Sequence, residues 1–172
     1  MRFILAKDAT DVSQKAYDFI RKSILQNPSL TLGLATGSTP LELYKLMIND
    51  YKRGNISFKN IRTINLDEYV GLPEGHPQSY RYFMDYNLFN HIDIDKNNTK
   101  VPNGSAIDLN KECEDYSSFI SKNVQDIQIL GIGSNGHIAF NEPGTSFNSS
   151  THIVDLKEST IKDNARFFDN ET

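Results

Sequence analysis

The fold of this chain is predicted from the stretch Leu30-Thr-Leu-Gly-Leu-Ala-Thr-Gly-Ser-Thr-Pro40. Leu30 to Ala35 is a short apolar run bounded by turn residues, which predicts a buried strand. Pro40 suits the first position of a helix, and apolar residues at helical spacing predict a helix from Pro40 to Tyr51. The stretch is therefore typical of a strand followed by a helix, the repeating unit of a parallel sheet.

The same alternation of strands and helices extends to both sides of this stretch. Helical spacing predicts further helices at Thr10–Gln26, Gln78–Phe89 and Leu109–Ile120. Short apolar runs predict further strands at Arg2–Ala6, Ile61–Leu66, Asp126–Ile132 and Thr151–Leu156. The pattern indicates an α/β fold with a mostly parallel, Rossmann-like open sheet and helices on both faces. Ligands of such sheets bind outside the carboxyl ends of the strands.

The composition limits the class of protein. The 172 residues carry a formal net charge of −4 and include one cysteine, Cys113, which cannot form an internal disulfide. We do not expect the N-terminus to be a signal peptide, because its apolar run ends after a few residues, and no apolar run in the sequence approaches the roughly 20 residues that span a bilayer. We therefore expect a single cytoplasmic domain with no membrane partner. The mild negative charge argues against nucleic acid as a partner.

The first candidate site is the loop formed by Thr36, Gly37, Ser38 and Thr39, directly after a predicted strand. A small, hydroxyl-rich loop that opens a helix presents free backbone N–H groups, which suit a phosphate. We expect Thr39 to cap the helix, with Glu42 completing a capping box. The alternative is an ordinary turn with a good cap.

The second candidate site is the pair Asp67 and Glu68, which follows the predicted strand Ile61–Leu66. Adjacent like charges raise the pKa of one carboxyl, which makes one of the two a candidate general base. The alternative is that Asp67 caps the following turn and Glu68 is solvated.

The third candidate site lies in the glycine-rich stretch Gly131–Pro143. Its Gly-x-Gly-x-x-Gly pattern also occurs at dinucleotide sites, but Pro143 and Gly144 interrupt the long helix that those sites require. A histidine beside a carboxylate can move protons in both directions, which singles out His137 and Glu142. The alternative is a structural histidine. No spacing typical of a metal site occurs.

Four stretches together resemble the glucosamine-6-phosphate deaminase family, also called glucosamine/galactosamine-6-phosphate isomerases. They are Leu34–Pro40, Asn65–Pro73, Gly131–Pro143 and Asn164–Asp169. The resemblance implies that glucosamine 6-phosphate and water are converted to fructose 6-phosphate and ammonia, in amino-sugar catabolism. It implies an amino-sugar phosphate as the small-molecule partner, and neither a metal nor an organic cofactor.

The resemblance also implies roles for single residues. The phosphate would bind the Thr36–Thr39 amides and Arg166, and His137 with Glu142 would open the sugar ring. Asp67 would move the proton from C2 to C1. Asn135 stands where many family members have an aspartate that orients and charges the histidine. Asparagine can accept the imidazole hydrogen bond but contributes no charge.

The resemblance sets further expectations. Allosteric family members hold an effector phosphate with basic residues where this chain has His152–Asp155, so we expect no activation by N-acetylglucosamine 6-phosphate. Residues 1–172 are expected to form one domain that is C-terminally truncated relative to the family. A homo-oligomer and a preference for glucosamine or galactosamine are left open. The alternatives are a 6-phosphogluconolactonase-like hydrolase and a non-catalytic sugar-phosphate sensor.

Overall fold

The computed structural model describes residues 3–158 and 160–161, in which helices surround a parallel sheet. The helices are α1 (Ala9–Gln26), α2 (Leu41–Lys52), α3 (Tyr80–Asn87) and α4 (Leu109–Lys122). The strands are β1 (Thr31–Leu34), β2 (Arg62–Asn65), β3 (Thr99–Lys100) and β4 (Ile127–Gln128), and short 3-10 helices lie at Phe89–His91 and Lys96–Asn98. Within this part of the chain, none of the helices is both long and apolar enough for a membrane span.

The strands follow the order β3-β2-β1-β4 across the sheet, and every neighbouring pair is parallel. All four residues of β1 are buried, as expected for a central strand covered on both faces. The predicted α/β fold with a parallel sheet is therefore confirmed. Because β2, β1 and β4 are neighbours, their carboxyl ends and the loops that follow them lie side by side.

Helices α1 and α2 pack with β1 in one apolar core. The N-terminus of α1 is fixed by Asp8, whose side chain accepts a hydrogen bond of 2.9 Å from the backbone N–H of Asp11. In α2, the fully buried Tyr44 donates its hydroxyl to the carbonyl oxygen of Ala35 at 2.5 Å. This bond ties the helix to the end of β1, where the first candidate loop begins.

Gly33 of β1 leaves room for the side chain of Gln128. The two residues face each other in the register between β1 and β4. A Cβ atom on residue 33 would lie 1.8 Å from Oε1 of Gln128, which is far inside van der Waals contact. Nε2 of the same amide donates to the carbonyl of Ile129 at 2.8 Å, which holds the side chain over β1.

Two predicted strands are not formed in the described residues. Residues 3–6 and 151–156 have no strand structure, and Phe3 and Leu5 are exposed. An apolar run becomes a strand only where a neighbouring strand completes its hydrogen bonds. Strand β4 is formed but is shorter than the predicted Asp126–Ile132. The sequence analysis did not predict β3, because two residues are too few to show the alternation of apolar and polar side chains that is typical of a strand.

Candidate active site

A cavity of about 370 Å³ lies at the carboxyl ends of β1, β2 and β4. The structure brings together in its lining six of the predicted site residues, namely Thr36, Gly37, Ser38, Thr39, Asp67 and His137. Asn135 and Glu142 are connected to the cavity through His137. Arg166 lies outside the described residues. The described residues of the three candidate sites therefore lie in or next to one cavity at the carboxyl ends of the strands.

The loop after β1 differs in one detail from the prediction. Helix α2 begins at Leu41, and Pro40 occupies the capping position with φ −80° and ψ −5°, without a side-chain hydrogen bond. The prediction that Thr39 and Glu42 form a capping box is wrong, because α2 begins one residue later than predicted, with Pro40 at the N-cap. Glu42 instead pairs with Lys45 at 3.2 Å.

Backbone groups give the same loop its capacity for an anion. Gly37 has a φ of +92°, which favours glycine and turns the chain sharply after β1. The carbonyl of Ser38 accepts a hydrogen bond of 3.4 Å from the N–H of Leu41. Since Pro40 at the N-cap offers no side-chain hydrogen bond, N–H groups of the first turn of α2 are open among the described residues, and the helix dipole favours a negative ligand there.

Glu68 holds the start of α3. One carboxylate oxygen accepts from the N–H groups of Tyr69 and Tyr80, and the other from the N–H of Arg81, at 2.8–2.9 Å. These bonds satisfy N–H groups that the helix itself leaves open. The alternative interpretation of this acidic pair is therefore wrong, because Glu68 accepts from the first two N–H groups of α3, beside the N-cap Ser79, and Asp67 lines the cavity.

Asp67 is the group in the cavity whose protonation is poised near neutral pH. Desolvation by burial, and then repulsion from the Glu68 carboxylate, raise the pKa of Asp67 from 3.8 to about 7. At that pKa both the protonated and the ionised forms are populated at neutral pH. This is the condition under which a carboxyl group works as a general base and then as a general acid.

Asn135 lies between His137 and Glu142. Its Nδ2 donates to Oε2 of Glu142 at 2.7 Å, and its Oδ1 is 2.7 Å from Nδ1 of His137. The hydrogen bond expected between Asn135 and the imidazole is therefore present, and the expected pairing of His137 with Glu142 runs through Asn135. A carboxylate can only accept, so the amide NH₂ must face Glu142 and the amide oxygen must face His137. Nδ1 of His137 then carries the proton, and Nε2 is the basic nitrogen.

Glu142 remains ionised in this arrangement. Its side chain is buried, with 7% of its surface exposed. The hydroxyl of Thr160, the N–H of Lys157 and the amide of Asn135 all donate to the carboxylate and hold the pKa of Glu142 below its usual range. Glu142 therefore orients Asn135, which in turn holds the imidazole of His137.

Gly133 supports the imidazole of His137. A Cβ atom on residue 133 would lie 2.1 Å from Cε1 of that ring and 2.4 Å from each ring nitrogen. The N–H of Gly133 donates to the carbonyl of His137 at 2.9 Å, which closes the turn around the ring. Any larger residue would displace the imidazole.

Three aromatic rings connect the loops around the cavity. Tyr69, Tyr80 and Phe140 have ring centroids 4.9–5.7 Å apart. Phe140 follows Ala139, whose φ of +50° is strained for a residue with a side chain, in a tight turn between Ile138 and Asn141. The rings therefore fix the turn after His137 against α3.

The sequence prediction missed Tyr80, Phe140 and Gln128, all of which line the cavity. Burial raises the pKa of Tyr80 above its usual range, and the nearby Asp67 charge adds to the effect, so the phenol remains neutral. Phe140 lies inside the predicted stretch Gly131–Pro143, and an aromatic residue within a polar motif was the signal that could have located it. Tyr80 and Gln128 lie outside the predicted motifs, and no such signal in the sequence marks them.

Comparison with known proteins places these residues in context. Residues 6–164 match the family described as glucosamine-6-phosphate isomerases/6-phosphogluconolactonase. A glucosamine-6-phosphate deaminase from Clostridium perfringens (strain 13) is 54% identical over 170 residues, which cover 98% of this chain and 70% of that protein. A protein of the same name from Thermoanaerobacter sp. (strain X514) is 53% identical over 169 residues, 98% of this chain and 67% of its own length.

Solved structures show the same relationship. A monomeric glucosamine-6-phosphate deaminase superposes with a TM-score of 0.95 and 45% identity, covering 98% of this chain and 70% of that chain. A 6-phosphogluconolactonase from Thermotoga maritima superposes with a TM-score of 0.65 and 24% identity, covering 80% of this chain and 62% of that chain. At this lower identity the lactonase shares the fold alone.

Proposed function

The chain belongs to the glucosamine-6-phosphate isomerase/6-phosphogluconolactonase family, and on that premise we propose that it is a glucosamine-6-phosphate deaminase. It converts glucosamine 6-phosphate and water to fructose 6-phosphate and ammonia. The observation that carries the proposal is the 53–54% identity to the two deaminases over 98% of the chain. The cavity agrees with it, since it combines an anion-binding loop, an imidazole and a carboxyl with a pKa of about 7.

The substrate phosphate is assigned to the loop Thr36–Thr39. Open N–H groups at the start of α2 and the positive end of the helix dipole favour a dianion there. Arg166 is proposed as a second phosphate contact on the resemblance of its motif, because an arginine binds phosphate oxygens in pairs. This assignment directs the sugar ring toward Asp67 and His137, which line the same cavity.

Opening of the sugar ring is assigned to His137. Nε2 takes the proton of the hydroxyl on C1 and returns it to the ring oxygen as the bond between C1 and that oxygen breaks. The product is the open-chain aldehyde. Because Oδ1 of Asn135 accepts a hydrogen bond from the Nδ1–H group, Nε2 is held as the basic nitrogen at the start of the step.

Isomerisation is assigned to Asp67. Its carboxylate takes the proton from C2 while solvent water donates a proton to the aldehyde oxygen, which gives an enolamine; a proton returns to solvent when the iminium formed later is hydrolysed. The protonated carboxyl then returns its proton to C1, which leaves an iminium at C2. Water adds to C2, and ammonia leaves as the ketone forms. A group that gives and takes the same proton needs a pKa near neutrality, as Asp67 has.

Ammonia release from glucosamine 6-phosphate by the purified protein tests this function. We expect equal amounts of ammonia and fructose 6-phosphate, measured by two separate coupled assays. Hydrolysis of 6-phosphogluconolactone, measured in parallel, tests the other activity in the family description. A folded protein that hydrolyses the lactone and releases no ammonia would contradict the proposal.

Asn135→Asp should shift the pH–rate profile of ammonia release to higher pH, by up to about one unit. The added negative charge favours the imidazolium form of His137, so the basic form requires a higher pH. Because residue 135 is 2.7 Å from Glu142, part of the new charge is neutralised by a shared proton, which limits the shift.

The matched control is Asn148→Asp, which adds the same charge at an exposed position in the same part of the chain. Its profile should coincide with that of the wild type. Identical profiles for Asn135→Asp and the wild type would show that residue 135 has no influence on the proton transfer.

A further inference from the structure

Thr160 makes the strongest hydrogen bond to the Glu142 carboxylate. Its hydroxyl lies 2.6 Å from Oε1 of Glu142, and the Thr160 side chain is almost completely buried, with 1% exposed. The same hydroxyl oxygen lies 3.4 Å from Nδ2 of Asn135. Thr160, Glu142 and Asn135 therefore form a closed ring of hydrogen bonds next to His137.

The directions of these bonds follow from chemistry. A carboxylate cannot donate, so the single hydroxyl proton of Thr160 points to Glu142. The lone pairs of the hydroxyl oxygen then face the NH₂ group of Asn135. Glu142 and Thr160 thus both present acceptors to the same NH₂ group, and both favour the orientation of the amide in which its oxygen faces His137.

Loss of the hydroxyl would weaken this selection of orientation. Among the described residues, Oε1 of Glu142 would keep only the weaker N–H contact from Lys157 at 3.2 Å. Oε2 would still accept from Asn135, and the backbone N–H of His137 would still donate to Oδ1 of Asn135 at 3.0 Å, so the amide would be held less firmly in its present orientation. With the amide reversed, its NH₂ group would donate to Nδ1 of His137. The proton of the neutral imidazole would then lie on Nε2. A protonated Nε2 cannot accept the proton of the substrate hydroxyl, so His137 could not act as the base.

We propose that Thr160 is a positioning residue for ring opening, which through Glu142 and Asn135 keeps the proton of His137 on Nδ1. This assignment rests on the proposed function for its effect on turnover. Its effect on the imidazole is independent of any substrate. Thr160 does not line the cavity, so it acts on the reaction through other residues.

The test compares Thr160→Val, which keeps the shape and removes the hydroxyl, with Thr160→Ser, which keeps the hydroxyl. We expect Thr160→Val to lower kcat for ammonia release by about 10- to 100-fold, the effect of one lost hydrogen bond to a charged group. KM should stay within about threefold, because Thr160 is not assigned to substrate binding. Thr160→Ser should keep at least roughly a third of the wild-type kcat.

The second readout is the tautomer of His137, from ¹⁵N chemical shifts of the ring in the full chain without substrate. His137→Gln assigns the signals among the four histidines. The wild type and Thr160→Ser should show the proton on Nδ1, and Thr160→Val should show a mixture or the proton on Nε2. If Thr160→Val does not fold, Thr160→Ala provides the same two readouts.

Wild-type kcat and tautomer in Thr160→Val would overturn the proposal. Equal defects in Thr160→Ser and Thr160→Val would also overturn it, because retaining the hydroxyl in Thr160→Ser would then give no protection. If the wild type releases no ammonia, the proposed function fails, and the tautomer comparison still decides the role of Thr160.

Discussion

Asp67→Asn should abolish exchange of the C2 proton of glucosamine 6-phosphate with solvent and lower ammonia release by about 10²- to 10⁴-fold. Asparagine has nearly the same shape as aspartate but cannot accept a proton from carbon. Binding of the sugar phosphate should change little, because the phosphate is assigned to the Thr36–Thr39 loop. Incorporation of deuterium at C2 in D₂O, followed by ¹H NMR, measures the exchange directly.

The same substitution should stabilise the protein above neutral pH. The pKa of Asp67 is raised from 3.8 to about 7 by burial and by Glu68. Between these values the unfolded chain has lost the proton that the folded chain keeps, so stability falls as the pH rises, and the full penalty is present above pH 7. The amide is neutral at every pH. At pH 8 we expect Tm to rise by roughly 3–6 °C, or about 1–2 kcal/mol.

This increase separates a chemical defect from unfolding, because an inactive variant that is more stable has not lost its fold. Asp115→Asn, at an exposed position in α4, is the matched control. It should leave both turnover and Tm close to the wild type. Persistent C2 exchange in Asp67→Asn would remove Asp67 from the role of base.

Gly133→Ala should lower ammonia release by about 10²-fold or more, because a displacement of about 1 Å in a reacting group has an effect of that size. The new Cβ would lie 2.1 Å from the imidazole of His137, and the ring must leave its bond to Asn135 to make room. The ring has the open cavity to move into, so we expect Tm to fall by only a few degrees. Initial rates and thermal unfolding measure the two effects.

Gly75→Ala is the control for the general effect of an added methyl group, since a Cβ there meets no atom within 4 Å. Gly75→Ala should have wild-type turnover. A Gly133→Ala protein with wild-type turnover would mean that the position of the His137 ring does not limit the reaction.

The location of the site could be predicted from the sequence because polar residues follow the apolar runs directly. Thr36–Thr39 and Asp67 occupy the ends of β1 and β2 for this reason. The residues at the starts of the neighbouring helices α2 and α3 could not be predicted in the same way. Pro40 shifted the start of α2 by one residue, and Glu68 accepts from N–H groups of a helix that begins twelve positions further along the chain.

The chain of residues behind His137 shows the other limit of prediction. The hydrogen bond that Asn135 accepts from the imidazole was expected, but the sequence paired His137 with Glu142 and did not indicate that Asn135 also donates to Glu142 and so lies between them. Which end of an asparagine amide faces a histidine depends on every acceptor around it. One of these acceptors, Thr160, is 25 residues from Asn135 in the chain.

The close approach of Gly33 and Gln128 couples substitutions at the two positions. A Cβ on residue 33 would lie only 1.8 Å from Oε1 of Gln128, so Gly33 can be replaced only if the Gln128 amide moves and leaves its bond to Ile129. A residue 128 that does not extend over β1 would remove this conflict. The effect of enlarging residue 33 therefore depends on the residue at 128, and the two positions are epistatic although 95 residues separate them.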